Sequence, residues 1–366
     1  MFGKFIFFRA WKSEIERDSS DQTTYKQNEE NPKSTVGSHS NNWYKIDKRS
    51  FQFKTLSEYP GTYRACIFGD LGRHHGNSTA SILRDGMSGM FDFIVHIGRP
   101  NDLVSLDDRR GVPLAENKCQ ERRSLKGSGE DNENFGGRAR TLKVTIRNLN
   151  ISCDISYDLQ SDDGVNGDKF MNQLEPVISR IPYMVVAGNH EYEDGNFTNF
   201  RQRFWMPPND YEQNQFYSFD LGPVHWVALS TEYYGYYEEL GKQPILAQYN
   251  WLVNDLKSAN SNRHQTPWIA TFSHRPYYCS AAHNDDCSGS DSSMIRVGYD
   301  DLPGLEKPFL DYGVDLGFWG HVHYYERFYP VANGKYWNSK DCYHNPAAPT
   351  YIITGSAVCT YIFIAY

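Results

Sequence analysis

An α/β fold is expected for this chain, and three observations in the sequence predict it. Short apolar runs recur along the chain, helical apolar periods lie between them, and the runs stop at polar residues of metal-ligand type. Near-continuous apolar runs suit strands buried on both faces of a sheet. Open α/β sheets place their sites where such strands end.

Taken in order, residues 51–56 alternate apolar and polar, the period of a half-buried strand. Residues 64–68 end in Gly69-Asp70, and residues 91–97 end in Gly98. Phe170, Leu174, Val177 and Ile178 then recur at helical spacing. Residues 181–187 end in Gly188-Asn189-His190-Glu191. A second helical period runs through Ile245, Leu246, Tyr249, Leu252 and Leu256. Residues 268–273 end in His274, and residues 314–319 end in Gly320-His321-Val322-His323.

The chain has 366 residues and a formal charge of −8, which argues against non-specific nucleic-acid binding, a property that needs a basic footprint. No apolar run approaches the roughly 18–20 residues that cross a bilayer, so no membrane partner is expected. Aromatic residues make up 15% of the chain, too many for a disordered protein.

That composition is uneven. Between Arg99 and Cys153 only Phe135 is aromatic, and eleven Lys and Arg stand against eight Asp and Glu. Read alone, the stretch is a disordered loop with no lasting apolar period, or a basic segment that docks an acidic partner. Its flanks suggest a third reading, that of an unspliced intron or gene-model error. Residues 1–61 read as a mostly disordered start, and residues 62–366 as the main domain. The run Phe5-Ile6-Phe7-Phe8 is shorter than the apolar centre of a secretory signal. Beyond the turn Thr354-Gly355-Ser356, the apolar tail 361–366 is expected either to be buried or to mark an artificial end.

The strand-end residues suit one chemistry. Carboxylates and an amide are hard oxygen donors, imidazoles are borderline, and no Cys stands among them, which selects Fe, Mn or Zn rather than a thiolate zinc finger. Two adjacent ions need a bridging anion, normally an Asp. Joining Gly98 to Asp154 supplies it: the strand then ends in Gly-Asp, with Tyr157 three residues later.

These motifs resemble the metallophosphoesterase superfamily, and within it the longer animal and plant purple acid phosphatases. The family pattern Gly-Asp, Gly-Asp-x-x-Tyr, Gly-Asn-His, lone His and Gly-His-x-His appears as Gly69-Asp70, the split Gly98/Asp154…Tyr157, Gly188-Asn189-His190, His274 and Gly320-His321-Val322-His323. The resemblance runs from about residue 51 to residue 356, apart from 99–153. It implies a β-sandwich of two mixed sheets flanked by helices. It also implies that residues 1–61 end in the remnant of a fibronectin-III-like domain and that the C-terminus is truncated.

By the same resemblance, Asp70, Asp154, Tyr157 and His323 would hold Fe(III). Asp154, Asn189, His274 and His321 would hold a second divalent metal (Fe, Zn or Mn). The implied reaction is hydrolysis of small phosphomonoesters by a hydroxide generated at that centre. His190 serves as proton donor or phosphate ligand, and His283 is a second candidate for the same work. The alternatives are a dinuclear-metal phosphodiesterase of the same superfamily and an inactive binding protein on the same scaffold. Tyr157 separates the first two, because a Tyr–Fe(III) site absorbs visible light. His96 and His74-His75 are assigned structural or solvent roles. Cys279 with Cys287, and Cys342 with Cys359, are expected disulfides, leaving Cys66 a buried thiol. Asn77-Ser78-Thr79 and Asn196-Phe197-Thr198 are glycosylation acceptors if the chain is secreted. Secretion or lysosomal residence is implied by the resemblance alone. The oligomeric state stays open.

Overall fold

The computed structural model describes residues 41–46, 49–54, 63–71, 77–98, 141–146, 159–193, 195–207, 214–280, 290–355 and 360–365. Among the described residues, seventeen strands and eight α-helices are formed. The first two strands, β1 (Asn41–Ile46) and β2 (Arg49–Lys54), make an antiparallel hairpin of their own, matching the alternation read at residues 51–56.

Two larger sheets carry the rest. The first has the order β5 (Thr141–Ile146), β17 (Thr360–Ala365), β3 (Tyr63–Gly69), β4 (Phe93–Ile97), β6 (Tyr183–Val186). Strands β3, β4 and β6 are parallel, while β17 runs antiparallel to both β3 and β5. The second sheet has the order β13 (Tyr325–Arg327), β16 (Thr350–Thr354), β12 (Leu316–Trp319), β9 (Trp268–Ser273), β8 (Val224–Leu229), β7 (Tyr217–Leu221). Its four inner strands are parallel and its two edges antiparallel. The remaining strands, β10 (Gly298–Tyr299) with β11 (Leu302–Pro303) and β14 (Val331–Ala332) with β15 (Lys335–Tyr336), are two-residue hairpins.

One core joins the two sheets. Phe93 of β4 meets Trp226 of β8 edge-on at 5.5 Å between ring centroids, the arrangement that aromatic quadrupoles favour. The wholly buried runs in β4 and β6 explain why these strands read as near-continuous apolar text.

Helices α1 (Asn77–Met87) and α2 (Val165–Ile178) pack on each other. In α2 the expected Phe170, Leu174, Val177 and Ile178 are all buried. After the short α3 (Thr198–Arg203), α4 (Glu232–Gly235) and α5 (Tyr237–Leu240) comes α6 (Gln243–Ser261). Its buried face is Ile245, Gln248, Leu252, Leu256 and Ala259, so Leu246 and Tyr249 lie half-buried at its margins. Gln248 holds its place by two amide bonds to the backbone of Ser230, at 2.8 and 3.0 Å. Helices α7 (Ser290–Val297) and α8 (Glu306–Asp311) complete the set.

One segment differs from expectation, and one meets the first of its two alternatives. Within the atypical stretch, β5 forms because Leu142, Val144 and Ile146 alternate with Thr141, Lys143 and Thr145, a strand period too short to stand out in Gly/Arg-rich text. The apolar tail enters the first sheet as β17 between β3 and β5, where both of its backbone edges are paired.

An ionic cluster ties the β7–β8 edge to α6. His225 places Nδ1 2.6 Å from Asp220 Oδ1 and Nε2 2.9 Å from Asp255 Oδ2, while Ser218 donates to Asp255 at 2.6 Å. Burial alone would lower the imidazole pKa. The hydrogen bonds and charges of the two carboxylates outweigh it and raise the pKa to about 9. Because the folded value lies above the unfolded one, the stabilisation is present in full below the unfolded pKa of 6.5 and is lost as pH rises through about 9. His225→Asn should therefore lower stability at pH 6 by on the order of 2 kcal/mol, with Asp220 half in solvent reducing the full value. Urea unfolding of both proteins at pH 6 and pH 10 tests this, the gap between them closing at the higher pH.

Candidate metal centre

The parallel strands of both sheets deliver their carboxyl ends to one seam. A Cβ at Gly69 would stand 3.1 Å from Gly320 Cα and 3.4 Å from the Thr354 carbonyl, so the end of β3 abuts the ends of β12 and β16. Gly98 follows β4 against β6: its nitrogen donates to the Val186 carbonyl at 3.2 Å, and a Cβ there would fall 2.2 Å from Gly188 N. Gly320 N donates to the His274 carbonyl at 3.0 Å, which ties β12's end to β9's.

Asp70 leaves β3 fully buried with φ of 61°, and His321 leaves β12 with φ of 67°. That backbone region is uncommon for residues other than glycine and persists where the surroundings dictate it. Here the seam does so. Asp70 Oδ2 lies 3.0 Å from where a Gly320 Cβ would sit and 2.7 Å from a Gly355 Cβ, so both glycines clear room for the carboxylate.

Across the seam, His274 Nε2 lies 3.0 Å from Asn189 Oδ1 and 3.1 Å from His321 Nδ1. The two imidazole planes stand at 80° with centroids 4.9 Å apart. Asn189 and His190 occupy a single 3-10 turn, Asn189–Glu191, whose Glu191 carboxylate accepts from Gly188 N at 2.8 Å. Burial lowers the His274 pKa well below its usual value, and the nearby charges of His321, Arg275, His190 and His323 lower it further. The imidazole is thus held neutral, the form that donates a lone pair to a metal. His190 and His321 are buried, whereas His323 is exposed at the rim.

Among the described residues, no three His, Cys, Asp or Glu side chains form a closed ligand group by themselves. The convergent set is instead mixed, with Asp70, His274 and His321 joined by the amide of Asn189. Hard oxygens and borderline nitrogens together fit a divalent or trivalent first-row metal. Asp154, Tyr157 and His283 lie outside the described residues, as do His74 and His75. Leu159, the first described residue after Tyr157, lines one small cavity together with Gly98.

The other histidine reading concerned His96. Burial pulls its pKa to about 3, and its Nδ1 bonds the Tyr183 hydroxyl inside the core. Cys279 is disulfide-bonded, with its partner outside the described residues. Cys342 is a buried thiol like Cys66, which corrects the expected bridge to Cys359. Compact burial of Cys342 as a small apolar side chain serves in its place.

Sequence reasoning missed the support around the ligands. The Tyr236 hydroxyl donates to the Asn189 carbonyl at 3.0 Å, and its ring stacks on Tyr192 at 3.8 Å and 15°. Arg275 reaches the buried Glu232 carboxylate at 3.0 and 3.1 Å. The only signal for either was the neighbouring ligand motif, since Tyr recurs throughout the chain.

The calcineurin-like phosphoesterase family model matches residues 158–325. The chain is 35% identical over 316 residues to mouse (Mus musculus) acid phosphatase type 7, covering 85% of this chain and 58% of that protein. It is 46% identical over 214 residues to zebrafish (Danio rerio) acid phosphatase type 7, covering 56% and 47% respectively. The chain thus spans roughly half to three fifths of these relatives. A purple acid phosphatase from yellow lupin (Lupinus luteus) seeds shares the fold with a TM-score of 0.55, at 21% identity, over 87% of this chain and 48% of that one. No described helix is long and apolar enough to cross a membrane. At the N-terminal side, the described hairpin β1–β2 forms a two-stranded sheet by itself.

Proposed function

We propose that this chain, whose residues 158–325 match the calcineurin-like phosphoesterase family model, is an acid phosphatase acting on small phosphate monoesters at a two-metal centre. The observation that carries the reading is the meeting of Asn189, His274 and His321 within 3.1 Å at the seam, with Asp70 buried at the same strand ends. Asp70, Asp154, Tyr157 and His323 are the residues proposed for Fe(III). Asp154, Asn189, His274 and His321 are those proposed for a divalent Fe, Zn or Mn. Bound there, the two ions would supply Lewis acidity toward the phosphoryl oxygens and lower the pKa of an attacking water.

The protein's own groups do the rest. Burial favours the neutral form of His274, which is the form that binds a metal, and the Asn189 amide oxygen lies 3.0 Å from its Nε2. His190 shares a turn with Asn189 and lies close enough for its charge to act on His274. It is the residue proposed to donate a proton to the departing ester oxygen, or to hold a phosphate oxygen as that bond breaks. His283 remains a second candidate for that proton. The disulfide at Cys279 supports an oxidising compartment, secreted or lysosomal. Asn196, exposed beside α3, is a glycan acceptor in that setting.

The test is metal content and turnover of the purified chain on p-nitrophenyl phosphate and on its bis-ester. Two ions per chain, visible absorbance and preference for the monoester are expected. A colourless protein preferring the diester would replace this reading with the phosphodiesterase, and a metal-free, inactive protein would leave a binding scaffold. His190→Ala should lower kcat on the monoester by roughly 10²–10⁴-fold without changing metal content. If the variant retained full turnover, His190 would have no part in proton transfer.

A further inference from the structure

The proposed ligands come from two sheets, and the segment after β8 grips both groups. Residues 231–236 follow β8 and lie across the seam. The Thr231 hydroxyl accepts from Arg275 N at 2.8 Å, the residue directly after His274. Arg275 sends Nε to both oxygens of Glu232, whose side chain is fully buried. A Cβ at Gly235 would strike the Arg275 guanidinium at 2.7 Å, so this position admits only glycine while the guanidinium stays clamped. From the same segment Tyr236 reaches the other sheet. Its hydroxyl bonds the Asn189 carbonyl, its ring stacks on Tyr192, and the Arg275 guanidinium lies 5.9 Å from its ring centroid.

We propose that Tyr236, anchored through Arg275 and Glu232, is a positioning residue that sets the spacing between the Asn189–His190 turn and His274. This rests on the phosphatase reading above, and it adds residues that touch neither metal nor substrate. The Asn189 carbonyl also accepts from Tyr192 N at 3.3 Å, a longer bond than the one from Tyr236. Without the Tyr236 hydroxyl, the Asn189 carbonyl loses its shorter bond, and the turn that presents both the ligand amide and the proton donor is held by its own Gly188–Glu191 and Asn189–Tyr192 bonds rather than by the second sheet. Groups that orient metal ligands in this way typically change metal affinity by 10–100-fold.

Tyr236→Phe is the test, because it removes the hydroxyl and keeps the stacked ring. Mn²⁺ affinity of the metal-free protein should weaken roughly tenfold. In the loaded protein kcat on p-nitrophenyl phosphate should fall by a similar factor, with KM within about twofold. Amide hydrogen exchange at Glu191 and Tyr192 should quicken roughly fivefold, the scale of one lost hydrogen bond. The metal-free thermal midpoint should hold steady. Unchanged exchange and unchanged Mn²⁺ affinity would overturn the inference. So would a fall in the metal-free midpoint with affinity intact, the mark of a merely structural residue. If the wild type takes up no metal, the phosphatase reading fails separately, and exchange at Glu191 and Tyr192 still decides for or against the clamp.

Discussion

Asp70→Asn should leave a folded protein that binds no trivalent ion and hydrolyses phosphate monoesters more than ~100-fold more slowly. The two side chains have the same shape, and Asn tolerates a φ of 61° as readily as Asp does, so the backbone at the end of β3 has no reason to move. What changes is charge. A fully buried carboxylate is costly to desolvate, and a neutral amide is less so. Metal-free Asp70→Asn should accordingly be at least as stable in urea as the metal-free wild type, while metal analysis finds fewer ions per chain than in the wild type. Loss of activity with stability unchanged would mark Asp70 as a ligand. Full activity in the variant would remove it from the site.

The second large effect concerns a residue with no side chain. In Gly355→Ala the new methyl would lie 2.1 Å from the Val322 carbonyl and 2.7 Å from Asp70 Oδ2. The carbonyl belongs to the turn between His321 and His323, so relief by movement displaces ligands on both sides of the seam. Overpacking of this kind costs about 1–3 kcal/mol, and here metal affinity should fall with it. Gly334 gives the control: its φ is +69° but nothing lies within 4 Å, so Gly334→Ala should cost about 1 kcal/mol through backbone strain alone and leave metal affinity unchanged. Thermal unfolding with and without Mn²⁺ separates the two. Equal metal affinities in both variants would show that the space around Asp70 is not limiting.

Much of the fold was legible because buried parallel strands write themselves as unbroken apolar runs: β3, β4, β6, β9 and β12 were all read from residues within them. Asp70, Asn189, His190, His274 and His321 were legible for a related reason, since each stands where such a run stops. The glycine cradle was not. Gly355 reads as an ordinary turn residue until β16 is placed beside β3, and no local pattern reports that contact. Tyr236 and Arg275 were hidden likewise, because their partners lie 47 and 43 residues away in the chain. The exposure of His323 beside a buried His321 also depends on packing, since both belong to one short motif.

The seam has a consequence for how long the protein lasts. Asp70 and Asn189 follow strands of one sheet, His274 and His321 strands of the other, and the sheets otherwise adhere mainly through their shared apolar core, where Phe93 meets Trp226, with a buried bond from the Tyr217 hydroxyl to the Val185 carbonyl. An ion shared among those four residues would act as a cross-link that must break before the layers can part. Its binding energy would then add to the barrier to unfolding as well as to equilibrium stability. Chelation would therefore shorten the protein's half-life at elevated temperature, even where the metal-free form still folds.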